Sequence, residues 1–495
     1  MKSLLLPVLL SFSVLAHVPQ QLDGRTINDV CTQIANAIST ASDVYFPLNV
    51  LDLVQYDLDI SHWASSSSQA ATCSVEPGSP EDVGIILQIL GNTSTPFAVK
   101  GGGHASNPDF SSTTGVQIAM YRFSDVVYDA DSSTATIGTG LVWDDVYSSL
   151  APFSVNVVGG RVTGVGVAGF TLGGGYSWKS NQYGLTVDTV TAFELVTPNG
   201  TVINVTDDSN PDLFFALKGG FNNYGIVTSI SLQTFPQTEV WGGLITYTEA
   251  EIPQVLNATY TFSSTVTDPK AAIITTANFL LGQPGISQLL FYDGPTPPDG
   301  IFDDFLAIPA FTTDVSTRDF VSLVQASPSN ATAGDRAFFN SAPLLELTPT
   351  LLNAILNETV FWGTELSFDS GSFISYDIEP FLPTILTHNT SPSAYPASRS
   401  TAYLPLNLFY GWSLETADDL FLDAIQQSAA QITSVALAEG QTGVDTALIY
   451  PNYAIFETPL ERLYGDNLSR LQSIKAAVDP NNIMGLAGGW KIQPN

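Results

Sequence analysis

Short apolar runs separated by turn residues dominate the chain, and a few segments carry the wider apolar spacing of amphipathic helices. Ser79-Pro80-Glu81-Asp82 reads as a helix start, with a capping side chain, proline at the first position and acids at the positive end of the dipole. Val83, Ile85, Ile86, Leu87, Ile89 and Leu90 make that helix strongly apolar, and Gly91 is expected to end it. A short strand over 96–100 then runs directly into Gly101-Gly102-Gly103-His104. Residues 116–120, 126–129 and 134–137 read as further short strands. Residues 190–206 form a hairpin around the turn Thr197-Pro198-Asn199-Gly200. A helix over 212–217 precedes Lys218-Gly219-Gly220, the apolar strand 226–232 follows, and Pro236 marks a boundary. From about 237 to 440 the glycine clusters disappear, and aromatic, Thr and Ser residues intermix without a repeat. The last amphipathic segment, Pro459 to Val478, is stopped by Asp479-Pro480. The pattern predicts two modules, the first completed by the C-terminus.

The start of the chain has a different character. Lys2 precedes the apolar run Leu4 to Leu10, and Val14-Leu15-Ala16 supplies small residues at the usual cleavage positions, so residues 1–16 read as a signal peptide. A membrane anchor needs a longer apolar stretch, and no internal run approaches a membrane-spanning length. Eight Asn-x-Ser/Thr sequons, at Asn92, Asn199, Asn204, Asn257, Asn330, Asn357, Asn389 and Asn467, suit a secreted, extracellular glycoprotein. In that oxidising setting Cys31 and Cys73 most simply form one disulfide, the alternative being two separately buried thiols. Cleavage after Ala16 leaves His17 at the terminus, read as an ordinary mobile end rather than a copper site. Forty-seven acidic residues against 15 basic ones, a net charge of −32, argue against nucleic acid or an anionic membrane as partner. Four histidines and two cysteines leave little material for a metal cluster, and no metal site is expected.

Glycine placement carries the chemistry. Three consecutive glycines after a buried strand are entropically costly, and make sense where backbone approaches something closely and exposed N–H groups cradle an anion such as a pyrophosphate. A second cluster runs Gly164-Val165-Gly166-Val167-Ala168-Gly169 and continues at Gly173-Gly174-Gly175. Its first part matches G-x-G-x-x-G with Asp188 24 residues after Gly164. A dinucleotide fingerprint nevertheless requires a leading apolar strand and a following helix, and here three more glycines follow instead. Two glycine loops sixty residues apart, without a Walker-type lysine, suggest a large extended cofactor wrapped by loops. His104, just beyond the first loop, is placed to be a base, a metal ligand or a covalent attachment point, and spacing alone does not choose among them.

These segments resemble a known family. Lys100-Gly101-Gly102-Gly103-His104-Ala105, the 164–169 cluster, Gly173-Gly174-Gly175-Tyr176 and Tyr183-Gly184-Leu185-Thr186-Val187-Asp188 occur in the order and spacing of FAD-linked oxidases related to berberine bridge enzyme, of the vanillyl-alcohol-oxidase or p-cresol-methylhydroxylase superfamily. The resemblance continues through Leu217-Lys218-Gly219-Gly220 and Asn223-Tyr224-Gly225-Ile226-Val227, and resumes at Tyr450-Pro451-Asn452-Tyr453 and from Arg470 to Pro480. It implies an α+β fold: an FAD-binding domain made of residues 17–236 and 445–495, with a substrate domain built on an antiparallel sheet inserted over 237–444.

The resemblance also implies site residues. His104 would carry the flavin through its 8α-methyl group, with Gly101, Gly102, Gly103 and Ala105 along the pyrophosphate. Val165, Gly166, Gly169, Gly174, Tyr176, Val187, Ile226 and Asn467 fall where relatives contact the cofactor. The family's second, cysteinyl attachment falls on Val162, so a single bond through His104 is expected. The family histidine near the flavin C2 carbonyl falls on Phe170. Val165 occupies the oxygen-gate position, where valine leaves room for O₂, although a quinone-type acceptor is the alternative. Tyr450 is the first candidate for the base that removes a substrate hydroxyl proton and Tyr453 the second, since a phenol near pKa 10 needs a helping neighbour. The Asn467 sequon is expected to be buried and to carry no glycan, and the protein to act as a monomer.

For substrate, Trp241, Trp362 and Trp412 in the inserted region suggest stacking on sugar rings, hence an oligosaccharide or sugar oxidase forming a lactone and H₂O₂. The competing readings are an oxidase or dehydrogenase of a secondary metabolite, alkaloid-like or an aromatic alcohol, in a closed apolar pocket, and a non-catalytic flavin-binding glycoprotein.

Overall fold

The computed structural model describes residues 24–327 and 329–495. The expected signal peptide and His17 lie outside the described residues. Among the described residues no helix is long and apolar enough to cross a membrane.

The helix at Ser79 forms as its cap dictates: the Ser79 hydroxyl accepts from the Asp82 N–H and Pro80 opens the helix Pro80–Thr93. It does not stop at Gly91. A Cβ there would sit 2.8 Å from Ile483 Cδ1, so this glycine admits the C-terminal segment, and Ser94 at φ 52° ends the helix instead. The helix belongs with a four-stranded sheet in the order Asp43–Tyr45, Cys73–Glu76, Val116–Ala119, Phe97–Lys100, in which the last three strands run parallel. Phe97–Lys100, buried at its centre, delivers the glycine loop and His104 at its C-terminal end.

A five-stranded antiparallel sheet follows, ordered Val126–Asp129, Thr134–Gly138, Ile226–Gln233, Val190–Val196, Val202–Val205. The expected hairpin is its edge, turning at Gly200 with φ 87°. The tail docks back here: Lys475 Nζ donates to the Asn223 carbonyl, Asn223 Nδ2 to the Trp490 carbonyl, and Ala487 bridges to Phe97. The segment expected as one helix over 459–478 is two, Leu460–Tyr464 and Leu468–Val478. Gly465, at φ 47° and ψ −130°, breaks it, and the break lets Tyr464 be fully buried.

Residues 240–412 build a seven-stranded antiparallel sheet, ordered Thr312–Arg318, Val240–Thr248, Gln283–Tyr292, Ala271–Leu280, Gly371–Ile378, Leu404–Trp412, Arg336–Leu344. Alternation along each strand gives the sheet two different faces. Ile245, Ile273, Ile374, Tyr376, Leu408 and Tyr410 pack under the helices Ile252–Thr265, Pro349–Leu366 and Asp418–Ala438. Leu244, Thr246, Thr276, Asn278, Asp377 and Asn407 face the glycine loops across a cavity.

Cys31 and Cys73 are joined in a disulfide that ties the helix Gly24–Ala37 to the first parallel strand across 42 residues. Cross-linking removes loop entropy from the unfolded chain. Replacing both by alanine should cost about 2–5 kcal/mol, read as a lower urea midpoint.

Candidate active site

A cavity of about 760 Å³ lies between the two glycine loops and the open face of the seven-stranded sheet. Its size suits a sizeable cofactor or ligand. The loops meet at their glycines: a Cβ on Gly102 would lie 2.5 Å from Gly166 Cα, and one on Gly166 would lie 2.5 Å from Gly102 N. Those two residues are small because of each other. Gly169 is different, because a Cβ there meets nothing within 4 Å and would project into open space. Residues 167–172 form a short helix, ended by Gly173, where the sequence suggested none. It starts where the Val167 N–H donates to the Leu141 carbonyl, and the positive-φ glycines Gly164, Gly174 and Gly175 flank it rather than run through it. The run Gly173-Gly174-Gly175 is crowded by Asn452, Tyr395 and Thr186 respectively. These glycines bring the C-terminal tyrosine segment close.

Of the expected contacts, Gly101, Gly102, Gly103, His104, Ala105, Val165, Gly166, Gly169, Tyr176, Ile226, Tyr450 and Tyr453 line the cavity. Gly174, Val187 and Asn467 do not. Val187 is buried and its N–H donates to the Gly174 carbonyl. Asn467 is half-buried, with Nδ2 donating to the Ser393 and Ala394 carbonyls at 3.0 Å each. Val162 and Phe170, expected at the positions of the family's cysteine and histidine, both line the cavity.

His104 stacks on Trp63, ring centroids 4.5 Å apart and planes at 15°. Burial pushes its imidazole down to about 4, so the ring is neutral at physiological pH. Its Nε2 is buried and has no hydrogen-bond partner. The Asn407 Oδ1 and Trp490 Nε1 atoms that also line the cavity are likewise buried without partners. Buried polar atoms are rarely left so, and three around one cavity call for a polar molecule in it.

At the other end a charged cluster closes the site. Arg161 Nη2 donates to Glu379 Oε1 at 2.9 Å and to the Tyr453 hydroxyl at 2.6 Å, and Nη1 lies 2.8 Å from Glu379 Oε2. Tyr453 donates to Glu379 Oε1 at 2.8 Å. Burial raises the Glu379 carboxyl, and the Arg161 charge opposes that rise. Tyr450 is placed otherwise: its hydroxyl accepts from Asn452 Nδ2 at 2.8 Å and from the Tyr176 N–H at 3.3 Å, with no carboxylate beside it. Burial raises both phenols above their ordinary value, and Tyr176 to about 12. Trp178 is core, and its Nε1 holds the Arg161 carbonyl at 3.0 Å. Next along the strand, Asp377 accepts from Thr276 at 2.7 Å and Asn407 at 2.9 Å, and burial raises its carboxyl.

Arg161, Glu379, Asp377, Asn407 and Trp63 were not among the residues read from sequence. For the acids a signal was present: Ser375, Asp377 and Glu379 alternate with Ile374, Tyr376 and Ile378, the pattern of a strand with one polar face. The tryptophans expected on sugar rings are elsewhere. Trp412 is fully buried and donates to Asp418, Trp241 stacks on Phe302, and Trp362 donates to Glu358.

Residues 71–206 match the family FAD binding domain, and residues 449–486 match the family Berberine and berberine like. Over nearly its whole length the chain is 30% identical to the FAD-dependent monooxygenase drtC of Aspergillus calidoustus, covering 96% of this chain and 92% of that one. The chain belongs to the berberine-bridge-enzyme-like FAD-dependent oxidoreductases. The same fold recurs in a chitooligosaccharide oxidase (TM-score 0.74, 20% identity, 95% of this chain and 100% of that one). It recurs also in the glucooligosaccharide oxidase of Acremonium strictum, which carries a 6-S-cysteinyl, 8α-N1-histidyl FAD (TM-score 0.73, 18% identity, 95% and 99%). The protein is therefore an FAD-dependent oxidoreductase with the α+β architecture of this group.

Proposed function

We propose that this berberine-bridge-enzyme-like protein is a secreted oxidase of an alcohol carbon, with its flavin held by one covalent bond to His104. The observation that carries the chemistry is the buried Arg161–Glu379–Tyr453 cluster on the cavity wall. When bound, the flavin supplies the two-electron chemistry, taking a hydride from the substrate carbon and passing the electrons to O₂ or a quinone-type acceptor. The protein's part is the proton. Tyr453 Oη takes the substrate hydroxyl proton while its own passes to Glu379 Oε1, 2.8 Å away. Arg161 keeps that carboxylate ionised against the cost of burial. Tyr450, held by Asn452 and the Tyr176 backbone, orients the substrate. Single attachment is supported by the cysteines, because both in the chain are consumed by the disulfide and Val162 stands on the cavity wall. Secretion is supported by the disulfide and by six sequons with exposed asparagines, Asn92, Asn199, Asn204, Asn257, Asn330 and Asn357.

The cavity wall favours a small aromatic or alkaloid-like alcohol. Trp63, Phe339, Phe373 and Phe409 line it together, and such faces gain most from covering an apolar ring. Oligosaccharide oxidation, yielding a lactone and H₂O₂, is the second reading. It is favoured by the polar row Thr276, Asn278, Ser287 and Asn407 on the sheet floor and by the likeness to oligosaccharide oxidases. Anaerobic mixing of the yellow protein with aromatic alcohols and with oligosaccharides decides between them. Bleaching of the yellow flavin band is expected with aromatic alcohols. Bleaching by sugars alone selects the second reading, and by neither class rejects alcohol oxidation.

A further inference from the structure

We infer that Trp63 is a positioning residue for flavin attachment: its indole fixes the plane of the His104 imidazole, and with it the direction of the ring's nitrogen lone pairs. The inference rests on the proposed attachment through His104. A histidine ring turns freely about its last torsion, which has broad, roughly two-fold wells, unless hydrogen bonds or packing hold it. His104 has no hydrogen bond at Nε2 and otherwise bonds its own backbone, so packing on a neighbour must fix the ring against the rest of the site. The near-parallel stack on Trp63, at 4.5 Å and 15°, is that packing.

The indole is itself anchored on several sides. The Trp63 N–H donates to the Gly103 carbonyl at 2.9 Å, inside the glycine loop that precedes His104. The Trp63 carbonyl accepts from the Gly334 N–H at 2.8 Å, and Nε1 donates to the Ser329 carbonyl at 3.2 Å. Phe339 and Phe409 pack on the ring with centroids 5.9 and 5.5 Å away. Trp63 is thus clamped between the loop that carries the histidine and the 329–334 segment, and it transmits that rigidity to a ring whose hydrogen bond is to its own backbone. Burial keeps the imidazole neutral, the form with a lone pair to give.

In the attachment step an imidazole nitrogen bonds the flavin C8α carbon, and one C–H proton and the imidazole N–H proton are lost. The two electrons released reduce the flavin, and O₂ then takes them with two protons to give H₂O₂. Misdirection of the nitrogen slows the step because reaction requires a near-attack geometry.

The test compares full-length Trp63→Phe and Trp63→Leu proteins with the wild type. The reading is the share of bound flavin that stays with the acid-precipitated chain, at purification and during incubation with FAD in air. Phenylalanine keeps a stacking face without the Ser329 bond, and leucine keeps apolar bulk without a face. Wild-type attachment is expected for Trp63→Phe. Attachment slower by about tenfold or more is expected for Trp63→Leu, compared at equal total flavin and well below the melting temperature of each protein. A leucine variant that attaches as fast as wild type at equal flavin content overturns the inference. So does a phenylalanine variant slower than wild type by about tenfold, and that arm still decides if the leucine protein loses its flavin. A wild type with no acid-stable flavin rejects the attachment itself, and is recognised because every variant then reads zero.

Discussion

Replacing His104 by alanine should give a protein that folds and still binds FAD but surrenders all of it to acid. The cradle does not depend on the imidazole: Gly102 and Gly166 hold the loops together through their own backbones, and Gly169 leaves the space beside them open. The loss of one ring stacked on Trp63 removes about 0.5–1.5 kcal/mol of aromatic contact, too little to unfold a domain with this much buried core. The share of flavin that remains with the denatured chain should fall from essentially all to none, seen as loss of the fluorescent band on a denaturing gel. The redox potential should fall as well, because the electron-withdrawing nitrogen substituent is gone. Retention of acid-stable flavin by the alanine variant would refute the assignment. No cysteine is available to take over, since Cys31 and Cys73 are paired with each other.

His104 was legible because its signal is local. A strand, three glycines and a histidine are contiguous in sequence and remain contiguous in space. The same holds for the Ser79 cap and for the hairpin at Gly200. Features that depend on distant partners were not legible. Gly91 looked like a helix end because its true reason, Ile483, lies almost four hundred residues away. Glycines 173–175 looked like a second anion loop, yet their neighbours are Asn452, Tyr395 and Thr186. Trp412 looked like a sugar platform because sequence shows an aromatic but not which face of a strand it occupies, and this one faces the helices and Asp418. Arg161, in a loop of the first half, and Glu379, at the end of a strand of the inserted sheet, become a pair only when the two halves close on each other. The family motif pointed to Tyr450 and Tyr453 together, and only geometry distinguishes a phenol beside a carboxylate from one beside an amide.

That distinction carries the second large effect. Glu379→Gln should lower the rate of anaerobic flavin reduction by about 10²–10⁴-fold, with flavin content unchanged. Glutamine Oε1 still accepts from Arg161 Nη2 and Tyr453, its NH₂ replaces the oxygen that faced Arg161 Nη1, and no base remains to take the tyrosine proton. Tyr453→Phe should cost a similar factor, and the double variant little more than either single one, because residues acting as one relay are not additive. The pH profile separates this from a structural effect. Burial raises the Glu379 carboxyl above its ordinary value, so the ionised, working form is present above that raised pKa and activity is lost as pH falls through it. The acidic limb should therefore begin above the usual carboxylate range in the wild type and vanish in Glu379→Gln. Arg161 left beside a neutral amide is a buried charge without a counter-ion, and some loss of stability should accompany the change. The thermal midpoint reports that cost, and the rate is measured well below it. A glutamine variant that reduces its flavin within a few-fold of the wild-type rate, with its acidic limb intact, would place the base elsewhere, on Asp377 or on Tyr450.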